Sequence, residues 1–302
     1  MSATAVGATA GPGRRASGPV LVLRAMRPRQ WVKNSFVLGG LVFSGQVLEL
    51  QTQALAWVTF AAFCLASGAT YLFNDVRDVE TDRLNPRTAG RPVASGALAP
   101  RVALAAAVVA GLAGLALAAV PGWETAATLA GYLGLNVAYS LWLKHMLFLD
   151  VMAIAGGFVL RAYAGLVAID VVISEWLLLA TGLLALFLGL TKRRAEAVAL
   201  GGAAHPQRPV LERYSIELID ELIAVVTPTT LVVYALYAVL AARSSAMLLT
   251  VPFVLYGIFR VLYLIHARMT TEEPALIVWQ DRPLLTCIVL WGLSAATIAA
   301  LA

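Results

Sequence analysis

Acidic side chains follow the second long apolar run of the sequence, where residues 74–82 read NDVRDVETD. If a helix continues through this segment, Asp75, Asp78 and Asp82 lie on one face, because they are spaced i, i+3 and i+7. Carboxylates this close repel one another and need a cation. Mg²⁺ prefers oxygen ligands and is commonly held by one or two carboxylates together with substrate phosphates. The segment therefore predicts a Mg²⁺ and diphosphate site in which the three aspartates are catalytic and Asn74 is a further ligand.

The same segment has a second interpretation. Arginines are frequent in and just after it, and a solvated helix could hold these acids in ordinary ion pairs. The spacing alone leaves both interpretations open. The arginines concerned are Arg77, Arg83, Arg87 and Arg91.

Basic side chains lie at the ends of several other apolar runs. Each one alone is typical of an anchor at the level of the lipid headgroups. Together with the acidic segment they predict a site for a substrate rich in phosphate, since charged donors bind phosphate oxygens strongly. The residues are Arg27, Arg29, Lys33, Lys144, Lys192, Arg193 and Arg194.

Arg161 differs from these cations because it lies inside an apolar run. An arginine there costs about 3 kcal/mol or more unless it faces protein or water and has a partner. It is therefore a candidate site residue. Asp150 belongs to the same run, but eleven residues of helix separate the two by about 16 Å, so a direct pair is not expected.

The composition indicates the elements that must position these residues. Of the 302 residues, 60% are hydrophobic and 13% are charged, whereas a soluble domain is about a quarter charged. A membrane-spanning helix needs about 20 apolar residues. We expect an all-α, polytopic bundle of about nine transmembrane helices, with spans near 35–50, 53–73, 102–121, 124–143, 147–169, 175–191, 218–241, 246–266 and 284–302.

The distribution of charge predicts the orientation of this bundle. With that number of spans, the N-terminus and the loops at 74–101, 192–217 and 267–283 share one side. All but two of the 22 Lys and Arg residues fall there or at its membrane boundary, the exceptions being Arg161 and Arg243. The positive-inside rule makes this side cytoplasmic, in a cell membrane. The first span is the weakest, and the first two spans could instead form a tight pair or carry a re-entrant segment without moving the later loops across the membrane. One long irregular crossing in their place would reverse the orientation.

Composition and charge also indicate the domain organisation of the chain and the partners that it binds. Residues 1–20 lack an apolar signal core and are expected to form a disordered cytoplasmic tail, while residues 21–302 form one intramembrane domain. The net charge of +5 is explained by the orientation of the helices in the membrane, so no nucleic acid is expected as a partner.

The two cysteines, Cys64 and Cys287, lie in apolar runs and are interpreted as small buried residues. The oligomeric state stays open, and a homo-oligomer is compatible with the sequence.

A series of motifs resembles the UbiA superfamily of intramembrane prenyltransferases. The resemblance implies nine helices around a central cavity that opens sideways to lipid. It also implies two aspartate-rich motifs that bind a prenyl diphosphate through Mg²⁺ for transfer to an aromatic acceptor. The motifs that carry it are MRPRQWVKN at 26–34, NDVRDVETD at 74–82, RP at 91–92, YSLWLK at 139–144, LD at 149–150 and RAYAG at 161–165.

The sequence departs from the superfamily at the second acidic motif, where residues 192–196 read KRRAE. A Lys-Arg pair suits bare phosphate oxygens better than a second cation. This segment resembles the decaprenyl-phosphate phosphoribosyltransferase branch, together with RPRQWVKN at 27–34, YS at 214–215, EP at 273–274 and DR at 281–282. That branch transfers 5-phosphoribose from phosphoribosyl diphosphate to a polyprenyl phosphate.

The resemblance assigns expected roles to the remaining site residues. Asn34 belongs to the opening motif and is included among the substrate-binding residues. Glu196 would orient Lys192 or bind a ribose hydroxyl. The phosphates of the donor would be clamped by Lys33, Lys144, Lys192 and Arg193, and the 5-phosphate or the lipid phosphate by Arg27, Arg29 and Arg161.

Three alternatives remain at this point. A prenyltransferase that uses a prenyl diphosphate and an aromatic or quinone-precursor acceptor would need the same first acidic motif. An enzyme that moves a different sugar phosphate to the same lipid is a closer rival. A transporter or lipid-binding scaffold would line a pathway with its intramembrane polar residues, although acids and cations on one membrane face favour an enzyme.

Overall fold

The computed structural model describes residues 17–172, 174–200, 210, 213–242, 244–268 and 280–302. All regular elements in these ranges are helical. The α-helices are α1 (Gly18–Ala25), α2 (Gly39–Phe43), α3 (Leu50–Arg77), α4 (Val79–Leu84), α5 (Pro100–Ala118), α6 (Trp123–Leu141), α7 (Leu149–Ala168), α8 (Glu175–Leu200), α9 (Ile216–Leu236), α10 (Val251–Arg268) and α11 (Arg282–Leu301). Between them lie 3₁₀ segments at Pro28–Leu38, Leu143–His145 and Ser245–Thr250, and a π-helical turn at Tyr237–Ala241.

Local sequence explains where several of these helices begin. A proline in the first turn starts α5 and α11, because its missing N–H would have no partner there in any case. Ser215 caps α9 by accepting a hydrogen bond from the backbone of Leu218 at 3.1 Å. Asp281 caps α11 in the same way, with Leu284 N at 2.9 Å. Helix α1 begins at Gly18, inside the segment predicted to be a disordered tail, of which residues 1–16 lie outside the described ranges.

Seven helices among the described residues are long and apolar enough to cross a membrane. They cover Leu50–Arg77, Pro100–Ala118, Leu149–Ala168, Glu175–Ala199, Ile216–Ala241, Ser245–His266 and Arg282–Leu301. The prediction of a membrane protein with several spans is thus confirmed, whereas the predicted count of about nine spans is not. Helix α6 has 19 residues and packs against α5 and α7, but it carries Glu124 and Asn136 and is not one of the seven.

The first predicted span, at 35–50, is wrong as a long helix. The chain runs there through 3₁₀ turns and the five-residue α2. This segment lies directly on α7, where a Cβ added to Gly165 would meet the carbonyl oxygen of Val37 at 1.8 Å. A Cβ on Gly40 would meet the carbonyl oxygen of Gly165 at 3.0 Å. The absence of side chains at the two glycines permits this backbone contact.

Helix α3 is the central element of the bundle. In the apolar stretch of 18 residues that makes α3 a candidate span, 61% of the residues are buried, which is the largest share among the seven spans. Small residues allow close neighbours, since a Cβ on Gly114 of α5 would lie 3.0 Å from the carbonyl oxygen of Ala62. Phe63 packs with Leu129 and Tyr132 of α6 in the same buried cluster. A second cluster joins α7, α8, α9, α10 and α11 through residues such as Phe187 and Ile219.

The end of α3 corrects the prediction of one continuous acidic helix. The helix ends at Arg77, and Asp78 has φ −94° and ψ 15° before α4 begins at Val79. This one residue separates the helix that carries Asp75 from the helix that carries Asp82, although Asp82 N still donates to the carbonyl oxygen of Asp78 at 2.8 Å. Asp75 therefore belongs to the bundle, and Asp82 to a separate short helix.

Candidate active site

A cavity of about 240 Å³ lies inside the bundle between α3, α6, α7, α8 and the 3₁₀ segment that precedes α2. We call it the central cavity. Five predicted site residues line it, four of them cationic: Arg27, Lys33, Asn74, Arg161 and Lys192. Other polar lining residues are Thr70, Tyr71, Tyr132, Asn136 and Tyr139. The fold thus brings the intramembrane Arg161 together with cations from two other segments, the one before α2 and helix α8.

Two aspartates form a buried acidic pair beside the cavity-lining Asn74 and Arg27. Asp75 and Asp82 are 1% and 2% exposed. Arg91 bridges them, since its Nη1 lies 2.6 Å from Asp82 Oδ2 and 3.5 Å from Asp75 Oδ1. Arg27 also donates to Asp75 Oδ1. The other oxygen, Asp75 Oδ2, is buried without a hydrogen-bond partner.

The loop after α4 holds Arg91 in this position. Thr88 donates its hydroxyl hydrogen to the carbonyl oxygen of Asp82 at 2.9 Å, and Arg83 Nε donates to that of Ala94 at 3.2 Å. Val93 and Leu98 are buried in a cluster with residues of α1, α3 and α5. The loop is therefore packed against the bundle, and its Arg91 contacts both aspartates of the acidic pair.

Asp78 does not join the acidic pair. It accepts two hydrogen bonds from Lys144 Nζ, at 2.9 and 3.2 Å. Asp78, a predicted metal ligand, and Lys144, predicted to clamp a phosphate, are thus bound to each other. Among the described residues, no three His, Cys, Asp or Glu side chains form a group that could hold a metal ion.

The acidic pair still fits Mg²⁺ in the type of its donors. An orphaned buried oxygen, Asp75 Oδ2, lies one residue from Asn74, whose Oδ1 accepts a hydrogen bond from Ser140. Mg²⁺ usually takes only one or two carboxylates from a protein and completes its shell with phosphates and water. Asp75 meets this requirement without a third acid, and Asp82 supplies further negative charge.

Arg161 is buried, 6% exposed, and each of its hydrogen-bond acceptors among the described residues is neutral. Its Nε donates to Asn34 Oδ1 at 2.8 Å, and its Nη2 to the hydroxyl of Tyr132 at 2.6 Å. Nη1 donates to the carbonyl oxygen of Gly157 at 3.0 Å. The guanidinium also lies over the rings of Tyr132 and Phe158, at 4.6 and 5.0 Å from their centroids. As predicted, Asp150 is not its partner.

Asn34 and Arg29, which were both predicted to bind substrate, lie outside the cavity lining. Asn34 is fully buried behind Arg161, and its Nδ2 donates to Ser67 Oγ at 3.1 Å. Its amide oxygen accepts from Arg161 Nε and therefore orients Arg161, while a direct contact of Asn34 with substrate stays a prediction. Arg29 is exposed on the surface of the 3₁₀ segment, away from the cavity.

The guanidinium of Arg193, a predicted phosphate clamp, is enclosed by two carboxylates. Its Nε lies 2.7 Å from Asp150 Oδ2 and its Nη1 lies 2.5 Å from Glu196 Oε2. The side chain is 1% exposed and is not among the residues that line the cavity. Glu196, predicted to orient Lys192 or bind ribose, binds Arg193 in this way.

Tyr214 completes this network from the segment before α9. Its hydroxyl donates to Asp150 Oδ1 at 2.8 Å and accepts from the backbone N–H of Phe148 at 2.9 Å. Burial, followed by the hydrogen bond to Asp150, raises the pKa of Tyr214, so its hydroxyl stays protonated as the donor. The late EP motif at 273–274 lies outside the described residues.

Sequence reasoning missed several residues of α6 that line or support the cavity. Tyr132, Asn136 and Tyr139 follow at intervals of four and three, which places them on one helix face. This polar stripe inside an apolar run was the available signal. Ser140, beside the stripe, is buried against Asn74.

The fold and the cavity define an all-helical membrane protein with a cation-rich site inside its bundle. The sequence model of the UbiA prenyltransferase family matches residues 34–280. The chain belongs to the UbiA prenyltransferase family, and the resemblance found in its motifs is confirmed.

Named relatives are similar over much of the chain. The decaprenyl-phosphate phosphoribosyltransferase of Mycolicibacterium smegmatis is 35% identical over 245 residues, which cover 78% of this chain and 75% of that protein. The protein of the same name from Corynebacterium glutamicum is 36% identical over 198 residues, 64% of this chain and 60% of its own length. A UbiA homologue from Archaeoglobus fulgidus, solved with DMAPP and Mg²⁺, has a TM-score of 0.73 and 18% identity, with 92% of this chain and 98% of that chain covered. At that identity the last comparison shows the fold alone.

Proposed function

We propose that this protein transfers 5-phosphoribose from phosphoribosyl diphosphate to a polyprenyl phosphate of the decaprenyl type and releases diphosphate. The observation that carries the proposal is the lining of the central cavity, in which four cations share one space with Asn74, the neighbour of the buried Asp75. The names of its relatives support the same activity. Residues 21–302 would form a single transferase domain.

The charges of the cavity suit a donor with phosphate at both ends. Phosphoribosyl diphosphate carries a diphosphate on C1 of the ribose and a phosphate on C5. Lys33 and Lys192 are suited to the diphosphate, since ammonium groups bind phosphate as point charges. The hydrogen-bond partners of Arg161 in the described part of the chain are neutral, so an anionic group would compensate its charge inside the bundle.

The acidic pair would serve the metal-dependent part of the reaction. Asp75 and Asn74, with Asp82 close by, would hold Mg²⁺ against the diphosphate. When bound, the ion would neutralise charge on the diphosphate and make it a better leaving group. Asp78 would act on this region through Lys144, because the two side chains are paired.

The chain's own residues would bind and orient the reactants. The bond between ribose C1 and the diphosphate oxygen breaks, and its electron pair leaves with diphosphate. An oxygen of the polyprenyl phosphate forms the new bond to C1. Fixed cations around both phosphates reduce the repulsion between them and hold C1 near the attacking oxygen. No nucleophile from the protein is required.

The membrane supplies the acceptor and sets the orientation. We place the acidic pair, the cations Lys192, Arg193 and Arg194 of α8 and the N-terminus on the cytoplasmic side of a cell membrane, where a soluble sugar phosphate enters from water. The lipid tail of the acceptor would remain among the apolar helices.

One assay tests the proposal. Purified protein is incubated with labelled phosphoribosyl diphosphate, Mg²⁺ and a polyprenyl phosphate, and the lipid product is measured. We expect a labelled lipid whose formation stops when Mg²⁺ is chelated. A parallel reaction contains a labelled prenyl diphosphate and an aromatic acceptor. Transfer in that reaction alone would reject our choice of donor and favour the prenyltransferase alternative.

A further inference from the structure

A buried ionic network joins three segments next to the central cavity. Arg193 of α8 contacts Asp150 at the start of α7 and Glu196 one turn further along α8. Tyr214, just before α9, binds the second oxygen of Asp150. Asp150 and the side chain of Arg193 are each 1% exposed, and Tyr214 is 4% exposed. None of these three residues lines the cavity.

The network borders the cavity through two residues that do line it. Lys192 is the neighbour of Arg193 on α8, and the hydroxyl of Tyr139 lies 3.5 Å from Arg193 Nη2. Successive residues of an α-helix point about 100° apart. If the guanidinium of Arg193 is fixed on the side of Asp150, the rotation of this turn of α8 is fixed, and Lys192 is directed toward the cavity.

Stability alone is a poor explanation for this arrangement. Taking two charges out of water costs several kcal/mol for each ion, and the attraction between them often fails to repay that cost. The best-attested use of a buried ion pair is to select one geometry among several. Here the selected geometry is the relative position of α7 and α8 at the end of the bundle that carries the cavity cations.

We propose that Asp150 and Tyr214 are positioning residues that act through Arg193 to hold Lys192 and Tyr139 for binding of the donor diphosphate. The inference rests on the proposed function, because it concerns the donor site of that reaction. It assigns to Tyr214, just before α9, a role in substrate binding although Tyr214 does not line the cavity. It also gives the Lys-Arg-x-x-Glu sequence two separate tasks, with Lys192 at the cavity and the Arg193–Glu196 pair in support.

The test uses Mg²⁺ and inorganic diphosphate as the probe. Diphosphate leaves both phosphoribosyl diphosphate and prenyl diphosphates, so its binding reports on the site whichever donor is used. The full-length protein and its Tyr214→Phe variant are compared by calorimetry, and their melting temperatures are recorded. We expect the variant to bind diphosphate about tenfold more weakly, since it loses a hydrogen bond to a charged group. The matched control is Tyr256→Phe, an exposed position on α10, which should bind as the wild type does.

A second pair of variants keeps the test decisive if the first effect is small. Asp150→Asn should weaken diphosphate binding more than Tyr214→Phe does, and Asp150→Glu should recover part of it. In turnover assays the KM for the donor should rise while the KM for the polyprenyl phosphate stays within about twofold. If Asp150→Asn does not fold, Tyr214→Phe still decides, because it keeps both charges and the ring.

The inference is overturned if folded Tyr214→Phe protein binds diphosphate as tightly as the wild type, whatever its melting temperature. An equal rise in KM for both substrates also overturns it, since that result means a general loosening of the bundle. Failure of the proposed function gives a different result. In that case wild-type protein makes no phosphoribosylated lipid, whereas its diphosphate binding remains measurable.

Discussion

Lys144 Nζ lies 2.9 Å from Asp78 Oδ1, so the last turn before α7 is tied to the acidic segment after α3. The pair separates Asp78 from the two other aspartates of its motif. Asp75 is buried with an unpartnered oxygen, whereas the side chain of Asp78 is 33% exposed and paired. Three acids with similar positions in the sequence therefore have different surroundings.

This difference predicts unequal effects of neutralisation. Asp75→Asn should reduce kcat/KM by at least about a hundredfold, because it removes the charge best placed to hold the metal. Asp78→Asn should cost about tenfold, because it acts through Lys144. Steady-state assays at several Mg²⁺ concentrations measure both effects, with Glu124→Gln, exposed at the start of α6, as the control. Equal effects of the two substitutions would contradict the assignment.

Charge compensation at Arg161 gives a second prediction. Asn34→Asp is nearly isosteric and places a carboxylate at the atom that now accepts from Arg161 Nε. The new ion pair should leave the melting temperature unchanged or raise it. Binding of the donor should nevertheless weaken about tenfold or more, because the positive charge offered to the cavity is cancelled in a medium of low dielectric constant. If the variant binds the donor with the affinity of the wild type, Arg161 does not bind a phosphate of the donor.

The contact between Gly165 and Val37 gives a prediction about stability. Gly165→Ala would bring a Cβ to 1.8 Å from the carbonyl oxygen of Val37, so the 3₁₀ segment must move away from α7. We expect a loss of about 3 kcal/mol or a failure to fold, together with loss of activity, because Lys33 and Asn34 belong to the displaced segment. Thermal unfolding in detergent measures the effect. Gly134→Ala in α6 meets no atom within 4 Å and should be tolerated.

The orientation can be tested with single cysteines. The native Cys64 and Cys287 are buried and should give little background labelling. Val172→Cys, at a position that is 92% exposed between α7 and α8, should react with a membrane-impermeant maleimide on intact cells. Arg87→Cys, in the loop after α4, should react only after the cells are lysed. The opposite pattern would place the acidic pair outside the cytoplasm.

Much of the fold could be predicted because long apolar runs have few solutions in a bilayer. The helices α3, α5, α7, α8, α9, α10 and α11 all fall on predicted spans. The segment at 28–43 could not be predicted in the same way. Its apolar residues satisfy a helical pattern, but contact with Gly165 of α7 decides its conformation, and that contact joins residues far apart in the sequence.

The sequence determined which chemical groups were available: carboxylates at the end of α3, cations near the other helix ends and one arginine within the bundle. These follow from residue type and from the cost of placing charge in lipid. The tertiary structure decided which of them meet. Arg91 joins Asp75 to Asp82, Lys144 takes Asp78, and Arg193 turns to Asp150 instead of the cavity. Such pairings depend on the distances between helices, and these distances cannot be read from the spacing of residues along the sequence.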